Sequence, residues 1–168
     1  MPPEAACALV TALDERGVDA CIGGGWAIDA LVGRRTREHA DLDLWVEAVG
    51  LEGLFAAFAD HGLDRIHPWP GDRPWNFVLH DAVSRRVDLH LYEPLEDGRL
   101  HYGSVTAPFV FDADSLSGSG DIAGQSVRCE TPEFALRNHT GYPIRDVDRH
   151  DVAMLCEVFG LPTPEDFR

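Results

Sequence analysis

The sequence predicts an α/β (α+β) domain, a short mixed β-sheet flanked by helices, with further helices at the C-terminal end. Two observations carry this expectation. Apolar residues recur at helical spacing in some short runs and alternate with polar residues in others, and Gly, Pro and Asp separate the runs. Helices and strands also interleave along the first half of the chain, as in a sheet covered by helices.

In chain order, residues 4–16 place Ala5, Leu9, Val10 and Leu13 at helical spacing, and Gly17 supplies the stop. Residues 18–22 read as a strand running into Gly23, Gly24 and Gly25. A helix over 26–32 follows and ends near Gly33. Residues 41–47 alternate as a strand, with Leu42, Leu44 and Val46 on one face. A helix over 51–59 is expected to turn Leu54, Phe55 and Phe58 inward. Strands are expected around 63–67, 75–80 and 85–92, the last two joined by a polar turn at 81–84. Residues 93–124, rich in Gly, Asp, Ser and Pro, read as loops with short edge strands. One more strand is expected at 127–129. Thr131 suits an N-cap with Pro132 at the first helical position, and helices over 132–140 and 147–159 close the chain. A single domain spans 1–168, with its motif-bearing core in 1–95 and the C-terminal strand and helices in 125–160.

The formal charge of −15 argues against nucleic acid as a partner, because binding a phosphate backbone needs a basic surface. The same acidity suits divalent metal or a cationic small molecule. No apolar run approaches the roughly 18 residues of a membrane span, and the start MPPEAACALV lacks a basic leader region, so a cytoplasmic protein without a membrane partner is expected. Cys7, Cys21, Cys129 and Cys156 form no CxxC pair and read as buried thiols.

The chemistry concentrates in GGGWAIDALVGRRTREHADLD, residues 23–43. On a strand, Asp41 and Asp43 project to one face while Leu42 and Leu44 face the core. Two adjacent carboxylates repel unless a cation lies between them, and magnesium is the hard ion that takes one or two carboxylates plus phosphates. One helix upstream, the backbone amides of the glycine turn form an anion site. Asp88 in RVDLH is a third carboxylate, sharing its strand face with His90 and then Tyr92. Asp29 reads as structural. For Asp148, His150 and Asp151, acidity at a helix N-terminus is a simpler account than a metal cluster. Trp69 and Trp75 either wall an apolar pocket or belong to the core.

GGWAIDALVGRRTREHADLDLWVE resembles the polymerase-β-type nucleotidyltransferases, whose signature is a GG turn, a helix and a DxD strand. More closely it is similar to the small antibiotic nucleotidyltransferases, the short lincosamide enzymes above all. The likeness extends through VDLHLYEPLEDGRL and VRCETPEFALRNHTGYPIRDVDRHDVAMLCE, nearly the whole chain.

The resemblance implies a polymerase-β-like nucleotidyltransferase fold and transfer of a nucleoside monophosphate from ATP or GTP to a hydroxyl of a small antibiotic. A lincosamide is expected first. An aminoglycoside, a protein-modifying antitoxin-like role and a degenerate nucleotide-binding module stand as alternatives. It further implies that Gly24 and Gly25, followed by Trp26, hold the triphosphate, with Arg37 and His39 at its outer phosphates. Asp41 and Asp43 would bind magnesium, two ions in all, and Asp88 would be ligand, general base or both. By position, His90 and Tyr92 either line the acceptor pocket or form a polar strand edge, and His139 and Tyr142 either stack on the nucleobase, contact the acceptor or belong to a helix end set by Gly141. A homodimer is left open, and Gly23 has no assigned purpose.

Overall fold

The computed structural model describes residues 1–68 and 72–168, so Trp69 lies outside the described residues. The elements run α1 (Pro3–Asp14), β1 (Ala20–Gly23), α2 (Gly24–Val32), β2 (Leu42–Glu47), α3 (Leu51–Asp60), β3 (Arg65–Ile66), β4 (Asn76–His80), β5 (Arg86–Pro94), β6 (Arg99–Ser104), β7 (Ala107–Asp112), β8 (Gly118–Ile122), β9 (Gln125–Cys129), α4 (Pro132–Asn138) and α5 (Asp146–Phe159). The sheet follows the order β3-β4-β5-β2-β1-β9-β8, and β6 joins β5 to β7 at one end. It is mixed: β2 runs parallel to β5 and antiparallel to β1, while β1 runs parallel to β9.

Strand alternation sorts the side chains onto two faces. Ile22 of β1, Leu42, Leu44 and Val46 of β2, and Val87, Leu89 and Leu91 of β5 enter one core with α1, α2 and α3. On the other face Cys21, Trp45 and Tyr92 pack with Leu100, Phe111, Leu116 and Phe134. That second cluster covers only one end of the face. At the other end the same alternation brings up Asp43, Asp88 and His90, which stay partly exposed. A third cluster clamps α2 between α4 and α5 through Ile28, Ala135, Leu136, Val152 and Leu155. No helix among the described residues is long and apolar enough to cross a membrane.

Several boundaries differ from expectation for definite reasons. α2 starts at Gly24, two residues early, because the glycines themselves form its first turn. β2 starts at Leu42, which leaves Asp41 in the preceding loop. Phe55 is 44% exposed, lying outside the main core and stacked on Phe77 at 6.3 Å. Trp75 packs half-buried against the main core. Residues 93–124, expected as loops with short edge strands, hold the β6–β7 hairpin and β8, with β7 and β8 at sheet edges and more strand than the composition suggested. Their polar, glycine-rich composition disguises them: Gly118 and Gly120 lie where β8 is pressed against other backbone, so side chains are excluded there. The cap was legible, with Thr131 Oγ1 accepting from the Phe134 amide at 3.3 Å, and Cys7, Cys21 and Cys129 are buried free thiols.

A methyl group on Gly120 would collide with the Ala30 carbonyl of α2, where backbone cannot yield. Gly120→Ala should therefore destabilise the protein by about 1–3 kcal/mol, the usual range for overpacking. A lowered urea midpoint at unchanged slope is the expected outcome.

Candidate active site

β2 and β5 are parallel and in register, with Asp43 directly beside Asp88 and Trp45 beside His90. The alternation that buries Leu42, Leu44, Val87 and Leu89 therefore forces two carboxylates onto adjacent positions of the open face. Asp43, Asp88 and His90 each offer a ligand atom, all within 4.8 Å of one another. Asn76 on β4 donates from Nδ2 to Asp88 Oδ1 at 2.6 Å and fixes that carboxylate.

The electrostatics show what this grouping costs. Burial pushes the Asp88 carboxyl up to about 6; His90 works against that rise and the Asp43 charge adds to it. Asp41 is raised by burial and by the Asp43 charge. Burial disfavours the imidazolium of His90, but its hydrogen bond to Asp43 and the Asp88 charge outweigh that and raise it. A partly buried set of oxygen ligands that repel one another suits a hard divalent cation, which would relieve the repulsion. Asp43 and Asp88 are the carboxylates that would hold magnesium; Asp41, expected as a ligand, lines the same cavity but is not among the three residues whose ligand atoms come together.

β1 delivers the glycine turn to the same place, since Gly23 pairs with Asp43. Gly24 has φ +57°, a conformation that favours glycine, and a side chain there would strike the Asp43 carboxylate. A methyl on Gly25 would strike Arg37 Nη2 and come within 2.7 Å of His39 Nδ1. The turn is thus bare where two charged groups lean on it. Its amides open α2 and have no intrahelical partner, so they can receive an anion.

Arg37 and His39 are held from behind. Arg37 donates from Nε and Nη2 to the two oxygens of Asp151, at 2.8 and 2.6 Å. His39 Nε2 meets Asp29 Oδ2 at 2.5 Å, and Asp29 also accepts from the Thr36 amide at 2.9 Å. Burial opposes ionisation of Asp29, but the hydrogen bonds from His39 and Thr36 prevail and lower it. Asp29 is structural, as read. Asp151 goes beyond the helix-terminal acidity expected of it: it is buried and gathers both Arg37 and His139, whose Nε2 lies 3.5 Å away. Asp148 matches that expectation, accepting from the Arg145 amide at 2.7 Å.

A cavity of about 1020 Å³ unites these groups. Gly24, Gly25, Arg37 and His39 line one part, and Asp41, Asp43, Asp88 and His90 another. His139 and Tyr142 close it from the C-terminal side, Tyr142 donating to Asp148 at 3.2 Å. Two expected residues are elsewhere. Trp26 is 1% exposed and packs in the main core with its ring 4.3 Å from His39, because the helix turns that position inward. Tyr92 shares the face of Asp88 and His90, but the β6–β7 hairpin covers that end of the strand and buries it.

Other residues lining the cavity had no signal in the motifs. Asn76 and Tyr102 reach it from neighbouring strands, and the Tyr102 hydroxyl lies 3.2 Å from His90 Nδ1. Trp45 stacks on His90 at 4.8 Å. Glu130, at the end of β9, is 1% exposed and accepts from Trp45 Nε1 at 2.6 Å and Asn138 Nδ2 at 2.8 Å, both at Oε1. A methyl on Gly23 would stand 3.0 Å from Trp45 Nε1 and 3.2 Å from Glu130 Oε1, so Gly23 gives that pair its room. The one available signal was the sheet partnership itself, which the strand at 127–129 did not disclose.

Burial pushes the Glu130 carboxyl from 4.5 up to about 7. A carboxyl raised on folding contributes stability that is full below its unfolded pKa and is lost as pH rises through the folded value. Metal-free protein should therefore lose roughly 2–3 kcal/mol between about pH 4.5 and 7.5 through this group. Glu130→Gln should remove that part of the slope in urea unfolding curves taken across the range.

Comparison with known proteins places the chain in a family. A lincosamide resistance protein of Staphylococcus haemolyticus is 25% identical over 138 residues, 82% of this chain and 83% of that protein. A 2''-aminoglycoside nucleotidyltransferase of Escherichia coli is 58% identical over 36 residues, 21% of this chain and 20% of that enzyme. Lincomycin-bound lincosamide adenylyltransferase LnuA superposes with a TM-score of 0.74 at 24% identity, covering 87% of this chain and 90% of that one. ANT(2'')-Ia in complex with adenylyl-2''-tobramycin superposes with a TM-score of 0.72 at 25% identity, covering 94% and 89%. The family model described as aminoglycoside-2''-adenylyltransferase matches residues 6–155, and the chain belongs to that family of antibiotic nucleotidyltransferases.

Proposed function

We propose that the protein transfers a nucleoside monophosphate from ATP or GTP to a hydroxyl of a lincosamide and so inactivates it. The observation that carries this reading is the placement of Asp43 and Asp88, in register on adjacent strands, against the bare glycine turn in one cavity. The extended likeness to a lincosamide resistance protein favours that acceptor. A second reading, an aminoglycoside acceptor, is favoured by the family match and by the acidic lining of the cavity.

In this reading the amides of Gly24 and Gly25 bind the triphosphate, and Arg37, held by Asp151, neutralises its outer charge. Asp43, Asp88 and Asp41 would hold magnesium, as a pair of ions; when bound, the metal supplies charge neutralisation and acidifies the acceptor hydroxyl. Asp88, pinned through Oδ1 by Asn76, accepts the proton that the hydroxyl loses. The acceptor oxygen bonds to the α-phosphorus, the bond to the β-phosphate oxygen breaks, and pyrophosphate leaves. Much of the rate comes from holding these groups in line.

Incubation with magnesium, ATP or GTP, and a panel of lincosamides and aminoglycosides should give a drug heavier by one nucleoside monophosphate. No modified drug from any panel member overturns the proposal. Asp88→Asn should lower kcat by about 10²–10⁴-fold, the range for a lost general base. Gly25→Ala should displace Arg37 and His39 and raise the KM for the nucleotide about 10- to 100-fold, measured as initial rates at saturating drug.

A further inference from the structure

Glu130 takes no part in the phosphate or carboxylate chemistry above, yet it is built into the wall of the same cavity. Its Oε1 accepts both donors that reach it, Trp45 Nε1 and Asn138 Nδ2. Its Oε2 is buried and has no hydrogen-bond partner among the described residues. A purely structural acceptor needs only Oε1, which an amide would supply without a buried charge. The second oxygen therefore has no use in the fold, and a buried oxygen without a donor is costly. Gly23 keeps the space beside this pair clear, and Trp45, Tyr102 and Phe109 present aromatic surface in the same lining. Arg137, which also lines the cavity, lies over the Phe109 ring at 4.5 Å.

We propose that Glu130 is a specificity-determining residue that receives a protonated amine of the acceptor at its free carboxylate oxygen. The proposal rests on the antibiotic-transferase reading and narrows its substrate class to acceptors that carry an amine beside an apolar or aromatic-facing surface. Aromatic faces and a desolvated carboxylate together favour a cationic amine over a neutral hydroxyl. Burial, with the Asp43 charge adding to it, raises the Glu130 carboxyl against the hydrogen bonds from Trp45 and Asn138, and an arriving ammonium would favour the ionised form.

The test compares wild type with Glu130→Gln, which keeps the acceptor for Trp45 and Asn138 but replaces the free oxygen with an amide nitrogen. On lincomycin or tobramycin, whichever wild type modifies, the variant should show a 10- to 100-fold higher KM for the drug. Its KM for the nucleotide and its melting temperature at pH 6 should stay within about twofold and a few degrees. Analogues of the drug with one amine at a time made uncharged, by N-acetylation of a primary amine or replacement of a tertiary amine nitrogen by carbon, should include one that loses the same factor on wild type and loses nothing further on the variant. An unchanged drug KM in the variant overturns the proposal, as does equal turnover of every uncharged analogue by wild type. The second comparison decides the matter even if the variant fails to fold. If wild type modifies no drug at all, the antibiotic reading fails first, and amine binding is then read by calorimetry of wild type against the variant, where equal or absent heats overturn the proposal.

Discussion

The site depends on the repulsion between Asp43 and Asp88. They are neighbours because β2 and β5 are parallel and in register, and they share a face because both strands turn Leu and Val to the opposite core. The apolar side of the sheet thus enforces a polar arrangement that would otherwise relax. Burial and mutual charge raise Asp88 and Asp41, a cost that His90 and Asn76 offset in part at Asp88 and that a bound cation would offset further. This is how a folded core can store affinity for a divalent cation.

Around that pair the chain builds a phosphate-binding side from pieces far apart in sequence. Asp29 on α2 holds His39, and Asp151 on α5 holds Arg37, so the loop between α2 and β2 is anchored from both directions. The packing of α4 and α5 on α2 brings these anchors into reach. A mutation in α5 can therefore be felt at the glycine turn without touching any ligand.

The motifs were legible because their spacing is local. Gly24, Gly25, Asp43 and Asp88 lie on a turn and on strands whose alternation reads directly from residue order, and the structure lines one cavity with them. Tyr92 shows the limit of the same logic. Period two places it correctly on the face of Asp88, but the hairpin that covers it was hidden in a polar stretch, so its burial could not be read. Trp26 fails for the converse reason, because a motif position adjacent to the phosphate turn can still point into the core.

By itself the sequence determined the alternating β-face, the glycine turn, the acidic balance and the family likeness, all consequences of local spacing and composition. Only the tertiary structure decided which strands are neighbours, and hence that Asn76, Tyr102 and Glu130 join the cavity. It also gave Gly23 a purpose, because the crowding of Trp45 and Glu130 on that residue arises between strands. Contacts of that kind depend on sheet order and register, which no single stretch of chain encodes.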